Sequence, residues 1–259
     1  MNTNRLAQSK KADAMQRRTG PSICIIGLGY VGLPTAIGFH DAGFNVWGVD
    51  ISEETVNKIL RRENPTGDPE CDGIIPPPDA ERWNVCTSAS EAVPHCDFVL
   101  VTVPTPITGD LKPDLSYIKS AGRSVFSAIK KTSRTVVVLE STVYPGVTRQ
   151  VWTPILEELD LNIGVDVEIA YCPERFNPGD RAHGVRQVAR VIGCSSPEVG
   201  RELVSLYSEL TSGSVHYVGE IEVAEAAKVI ENVQRDINIA LVNELKVLFD
   251  SMDIDVWEV

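Results

Sequence analysis

SICIIGLGYVGLPTAIGFHDAGFNVWGVD, residues 22–50, is the stretch that decides the fold. Residues 23–26 form a short, nearly all-apolar run, the pattern of a strand buried on both faces. Gly27, Gly29 and Gly32 follow at G-x-G-x-x-G spacing. Residues 33–42 then read as a helix, with Leu33, Ala36, Ile37 and His40 on one face and Gly43 as its stop. Residues 44–49 read as a second strand that ends at Asp50. Each glycine has its own task. Gly27 lets the chain turn tightly, Gly29 removes the Cβ that would block a pyrophosphate, and Gly32 lets the helix lie close to the sheet. The backbone around Leu28, Tyr30 and Val31 belongs to the same loop, and the free N–H groups of the helix start face a phosphate. Asp50 lies roughly 20 residues after the loop, where an acid accepts hydrogen bonds from a ribose. Its charge repels a 2′-phosphate, so the pattern selects NAD over NADP. A glycine-rich turn alone would carry no ligand; strand, helix, second strand and terminal acid together point to dinucleotide binding.

The remaining composition fits that reading. The chain has 259 residues, 43% hydrophobic and 23% charged, ordinary values for a soluble globular protein. With 24 Lys and Arg against 36 Asp and Glu, its net charge of −12 speaks against nucleic acid or an anionic membrane as partner. No run approaches the ~18 apolar residues of a membrane span. Residues 1–20 are polar and basic without an apolar core, so they read as a disordered leader or expression remnant, not a secretory signal. The cysteines, Cys24, Cys71, Cys86, Cys96, Cys172 and Cys194, lack zinc-like C-x-x-C spacing. They read as buried reduced thiols of a cytoplasmic protein, and no metal site is expected.

Further along, residues 52–61 read as a helix capped by Ser52. Residues 63–79 form a Pro-, Gly- and acid-rich surface connection. Strands are expected at 84–87, 97–103, 135–140 and 165–171, with helices at 115–131 and from Val147 through Val151, Ile155 and Leu159. The strand at 97–103 runs into Pro104-Thr105-Pro106, the strand at 135–140 into Ser141-Thr142-Val143-Tyr144-Pro145-Gly146, and the strand at 165–171 into Cys172-Pro173-Glu174-Arg175. Polar turns at the carboxyl ends of successive strands mark the ligand edge of a doubly wound sheet. Thr105 is thereby a candidate cofactor contact, with Thr142 and Glu174 on the same edge. Strands at 189–192 and 214–218 flank a helix at 197–210. The fold class is α/β: a Rossmann-type, doubly wound, mostly parallel sheet.

A long helical pattern from Ile221 to about Met252 follows, with Val223, Ala227, Ile230, Ile237, Leu241, Leu245 and Leu248 at steps of three and four. It reads as a connector with a face for homodimerisation. Lys228 and Asn232 share one side of it. The small residues Ala224, Ala226 and Ala227 leave room for close approach of a ligand or another element. Domains are expected at 21–213 (NAD-binding) and 214–259 (the start of a helical dimerisation domain).

Together, IIGLGYVGLPTA, VTVPTP, ESTVYPGVT, YCPERFNPGD and AEAAKVIENVQRDINIALVNEL resemble the nucleotide-sugar 6-dehydrogenases, the family of UDP-glucose and GDP-mannose dehydrogenases. Pro-Glu-Arg followed by Asn-Pro-Gly looks like the branch that oxidises UDP-N-acetylhexosamines. The resemblance implies oxidation of a sugar C6 alcohol to a carboxylate by two successive hydride transfers to NAD, through a cysteine-bound intermediate. It implies that Lys228 and Asn232 stabilise negative charge on the substrate oxygen, that Glu174 is a general base for the hydrolytic step, and that Thr142 holds a water or hydroxyl near C6. It implies that Gly27, Leu28, Gly29, Tyr30, Val31, Gly32, Asp50, Thr105 and Thr142 hold the cofactor. The family's nucleophile lies in a G-x-C-x-P segment beyond the long helix, ahead of a nucleotide-binding domain, and none of the six cysteines stands in that context. The chain therefore reads as an N-terminal portion, expected to bind NAD and dimerise without completing the oxidation alone. Two rival readings share the glycine loop: a 3-hydroxyacid or 6-phosphogluconate type dehydrogenase, against which the STVYPG and CPERFNPG turns speak, and a non-catalytic NAD-binding module.

Overall fold

The computed structural model describes residues 20–175 and 185–259. Most of the residue 1–20 leader, and the part of the CPERFNPGD turn at 176–180, lie outside these. Strand β1 (Ser22–Ile26) leads through the glycine loop into helix α1 (Gly32–Asp41), strand β2 (Asn45–Val49), helix α2 (Glu53–Leu60) and strand β3 (Trp83–Cys86). A short helix α3 (Ala89–Ala92) precedes strand β4 (Phe98–Val101). Helix α4 (Ser116–Ala128), strand β5 (Thr135–Leu139), helix α5 (Val147–Glu158) and strand β6 (Val167–Tyr171) follow. These six strands form one parallel sheet in the order β3-β2-β1-β4-β5-β6. The chain reverses its direction of travel across the sheet between β1 and β4, and that is where a crevice opens at the strands' carboxyl ends.

Alternation along the strands divides the core into two layers. Ile23, Ile25, Leu100, Val136 and Val138 face α1, while Cys24, Ile26, Val99, Val137 and Leu139 face α4 and α5. Helices therefore cover both faces, which is why the strands read as unbroken apolar runs and not as alternation. Ser52 caps α2 by accepting the Thr55 N–H at 3.1 Å. The 63–79 connection is held by Asn64, whose amide donates to Asp68 O and to Asp72 Oδ1, both at 2.8 Å.

Three local expectations are corrected. Helix α1 is buried from Gly32 to Phe39, not on one stripe. The sheet covers one side and helix α6 (Pro197–Leu210) the other, and a Cβ at Gly38 would stand 2.5 Å from Leu210 Cδ1. In α5 the buried set is Val147, Thr148, Trp152, Ile155 and Leu156. Gly122 admits the Trp152 ring, so Trp152 is fully buried, while Val151 and Leu159, the latter just past the helix end, are partly buried against the same core. Strands β7 (Arg190–Ile192) and β8 (Val215–Tyr217) form a separate parallel pair joined by α6. They meet the main sheet through an antiparallel bridge between Tyr171 and Gly193, whose N–H groups each donate to the other's carbonyl at 2.9 Å.

Helix α7 (Ile221–Ser251) has 31 residues, about 45 Å at 1.5 Å rise. Its first turns bury Ile221, Ala224, Glu225 and Lys228 against β6 and β7. Gly193 makes this approach possible, since a Cβ there would meet Ile221 Cα at 2.7 Å and Ala224 Cβ at 2.9 Å. The stripe from Val223 onward, read as a face for homodimerisation, is exposed: Ile230 and Ile237 are 66% and 60% exposed. Beyond Lys228 the helix leaves the sheet, so its apolar residues have no described partner.

All six cysteines are free and buried. Burial raises the Cys71 and Cys172 thiols to about 12 and pushes those of Cys24, Cys86 and Cys194 upward. Native protein is expected to resist a thiol reagent over minutes, and all six cysteines should react once it is denatured. A fast-reacting native thiol, read by mass spectrometry, would contradict this packing.

Candidate functional site

At the switch point the three glycines span the loop from β1 to the first residue of α1. Gly27 turns out of β1 at φ +93°. A Cβ on Gly32 would fall 1.8 Å from Gly27 O and 2.5 Å from Thr102 Oγ1, so the helix start lies against the loop. A Cβ on Gly29 would meet nothing within 4 Å. That open space over the start of α1 is what a diphosphate needs, and a side chain would fill it. The first intrahelical bond here is Leu33 N–H to Gly29 O at 3.1 Å, so the amides of Tyr30, Val31 and Gly32 precede it, at the positive end of the helix. Leu28 takes a different part: its side chain is fully buried beneath Gly48, and its N–H is donated to Asp50.

The loop opens into a cavity of about 570 Å³ lined by Gly27, Gly29, Asp50, Thr102 and Pro104. Asp50 is fixed from both sides, accepting the Leu28 N–H on Oδ2 at 2.8 Å and the Ser52 N–H on Oδ1 at 2.9 Å. An ionised carboxylate has about four acceptor sites, so two bonds leave it able to take a ribose hydroxyl. The remaining wall comes from Thr87 and Ser88 after β3 and from Tyr117 and Ser120 on α4. The sequence reading missed these. The strand-end rule that singled out Thr105 would have found Thr87, but which face of α4 meets the crevice is decided by packing.

Thr105, read as a candidate cofactor contact, directly follows the described wall residues in the chain. The described wall at this turn is Thr102, Val103 and Pro104. The Thr105 hydroxyl donates to Thr142 O at 2.9 Å, and the Ser141 hydroxyl donates to Val103 O at 2.6 Å. These bonds tie the turn after β4 to the turn after β5 and hold Thr105 against Thr142. Thr102 was also missed: its hydroxyl donates to Gly27 O at 2.8 Å and pins the glycine loop.

The next step around this edge is made by α7. Lys228 is 5% exposed, and its ammonium donates to the Glu174 carbonyl oxygen at 2.6 Å. Burial lowers its pKa, an effect partly offset by Glu174 and Glu231. A buried ammonium held at a strand-end turn is not a solvated helix residue. Asn232 follows one turn later, half-buried. Arg175 forms an ion pair with Glu231 at 2.8 Å on the same side of the helix. Glu225, unremarked in the sequence, is fully buried and accepts the backbone N–H groups of Gly146 and Thr148 and the Thr148 hydroxyl. A donor crevice, a rigid polar turn and a buried cation thus lie along one edge. Such an edge can hold a dinucleotide and stabilise an oxyanion beside it.

Residues 21–211 match the NAD-binding domain of the UDP-glucose/GDP-mannose dehydrogenase family, and residues 222–259 match that family's central domain. Protein CapL of Staphylococcus aureus is 40% identical over 240 residues, covering 92% of this chain and 54% of that protein. The UDP-N-acetyl-D-glucosamine 6-dehydrogenase of Pseudomonas aeruginosa is 38% identical over 234 residues, covering 90% and 54%. The solved UDP-D-ManNAc dehydrogenase of Pyrococcus horikoshii superposes with a TM-score of 0.82 at 33% identity, covering 92% of this chain and 56% of that one. The chain spans about half the length of the curated relatives it matches. With the family's NAD-binding domain matched over 21–211, and with the glycine loop, the two turns and the Lys228 helix in place, the chain belongs to the UDP-glucose/GDP-mannose dehydrogenase family.

Proposed function

We propose that the protein acts in NAD-dependent oxidation of the C6 alcohol of a UDP-N-acetylhexosamine, UDP-GlcNAc or UDP-ManNAc, to the uronic acid. The observation that carries this reading is the buried Lys228 ammonium at the Glu174 turn, on the same sheet edge as the bonded Thr105 and Thr142 turns. Residues 21–213 form the cofactor domain in this proposal, and residues 214–259 begin the central one. The amides of Tyr30, Val31 and Gly32 hold the diphosphate, and Asp50 holds the adenosine ribose. Bound NAD supplies the hydride acceptor, two equivalents per sugar. Lys228 and Asn232 stabilise negative charge on the C6 oxygen, Thr142 orients a hydroxyl or water there, and Glu174 takes a proton from water in the hydrolytic step. Cys172 has no nucleophilic role here: it is fully buried, with its thiol pushed up to about 12. The exposed apolar residues of α7 pair with a second copy, and the enzyme works in the cytoplasm. Among the described residues no helix is long and apolar enough to cross a membrane.

The protein at its natural length should release two NADH per sugar from UDP-GlcNAc or UDP-ManNAc; no NADH from either would overturn the substrate assignment. Asp50→Ala should weaken NAD binding about ten-fold or more by calorimetry, since a hydrogen bond to a charged group contributes ~1.5–3 kcal/mol. The same substitution frees the Leu28 N–H that Asp50 holds. An unchanged affinity would remove Asp50 from the ribose site.

A further inference from the structure

We propose that Glu225 is a positioning residue for the reaction, the group that sets Lys228 and the Thr142 turn in register with each other. This rests on the functional reading above. The observation is a single polar ridge on α7. Glu225, Lys228 and Glu231 recur at steps of three, so they share one side of the helix. Glu225 holds the start of α5 by accepting Gly146 N–H, Thr148 N–H (3.0 Å) and Thr148 Oγ1–H (2.7 Å). Lys228 holds the Glu174 carbonyl and Glu231 pairs with Arg175. One side of one helix thus reads two turns: 141–146, which carries Thr142, and 172–175, which carries Glu174.

Glu225 is suited to the task because its bonds are directional and its alternatives are poor. Gly146, at φ +97°, is the N-cap of α5 and brings no side chain of its own to the helix end. The cap comes instead from a distant carboxylate, with the first N–H groups of α5 pointing at it and the helix dipole favouring its charge. The acid is 0% exposed, so water cannot replace these donors when it is removed. A second clamp runs the other way: Arg149 on α5 donates to Glu222 at 2.8 Å and to Glu220 at 2.9 Å. This leaves α7 anchored at its base, and among the described residues it is the Glu225 bonds that join the start of α5, next to the Thr142 turn, to the helix side carrying Lys228. Glutamine at 225 would keep one acceptor and turn an N–H₂ toward donors, so the register loosens without loss of volume.

The test uses the natural-length protein with Glu225→Gln, and Thr148→Val as a milder second variant that removes one of the three donors. Each is read for kcat and KM with UDP-GlcNAc or UDP-ManNAc, for NAD affinity, and for the rate of Lys228 acetylation followed by mass spectrometry without substrate. Glu225→Gln should lower kcat about 10-fold or more, raise Lys228 acetylation several-fold and leave NAD affinity within two-fold; Thr148→Val should shift kcat and acetylation the same way by less. Glu225→Asp should recover part of kcat. Wild-type kcat and Lys228 acetylation in both folded variants would overturn the positioning role, even if their melting temperatures fall. If Glu225→Gln does not fold, Thr148→Val decides alone. Wild-type protein inactive on both sugars, with Lys228 acetylation still rising in the variants, would sink the substrate reading and leave the positioning role standing.

Discussion

Lys228→Met in the natural-length protein should lower kcat for nucleotide-sugar oxidation by about 10²–10³-fold, the cost typical of removing one preorganised oxyanion donor. NAD affinity should stay within two-fold, because the glycine loop and Asp50 lie at the other end of the edge. The physical reason is that the ammonium is already desolvated and oriented. It is 5% exposed and held by the Glu174 carbonyl, so it need not reorganise when charge develops. Methionine keeps the length and the apolar stem, which separates loss of charge from loss of packing. Burial lowers the Lys228 pKa in the fold, so between its folded and unfolded values the unfolded chain binds more protons. The charged lysine therefore costs stability below the folded pKa, and that cost is relieved as pH rises through it. Lys228→Met should accordingly unfold with a weaker dependence on pH in the alkaline range, as followed by thermal melts. A variant that keeps full turnover would remove Lys228 from the chemistry.

Arg190→Met should cost the fold about 3–5 kcal/mol, the usual price of leaving a buried partner charge uncompensated. Arg190 and Glu140 are both fully buried, with Nη1 3.1 Å from Glu140 Oε2, and the Tyr207 hydroxyl donates to Glu140 Oε1 at 2.6 Å. Burial opposes the guanidinium charge, but Glu140 and neighbouring groups more than offset it and hold the Arg190 pKa above its ordinary value. The Arg190 guanidinium also stands 5.3 Å from the centre of the Tyr207 ring. Glu140 directly precedes the Ser141-Thr142 turn, Arg190 lies in β7 and Tyr207 on α6. The network therefore fastens the small sheet to the ligand edge of the large one. The loss comes from leaving Glu140 buried without its cation. The double variant Arg190→Met with Glu140→Gln should recover part of it in urea melts. Equal stability of Arg190→Met and wild type would mean that Glu140 finds another cation or water.

The readable and unreadable parts divide by the range of the interactions behind them. G-x-G-x-x-G, the two flanking apolar runs and Asp50 lie within 29 residues, and local backbone geometry dictates each of them. The turns carrying Thr105, Thr142 and Glu174 were legible for a related reason: a buried parallel strand must end before its chain becomes polar. Helix faces were less so. In α7 the spacing marked the stripe from Val223 onward, which is exposed, but not the side that docks through Ala224, Glu225 and Lys228. Trp152 is buried beside the partly buried Val151 because Gly122, on another helix, leaves room for its ring.

The sequence alone determined the doubly wound sheet, the phosphate loop and the edge on which the polar turns gather, since these follow from periodicity, glycine stereochemistry and strand burial. Only the tertiary structure decided that Thr105 bonds Thr142, that Glu225 caps a helix 77 residues earlier at Thr148, and that Lys228 is a buried cation at Glu174. Those contacts join residues far apart in the chain, and which side chain of a helix meets which turn is set by how closely small residues such as Gly193 and Ala224 let the backbones approach.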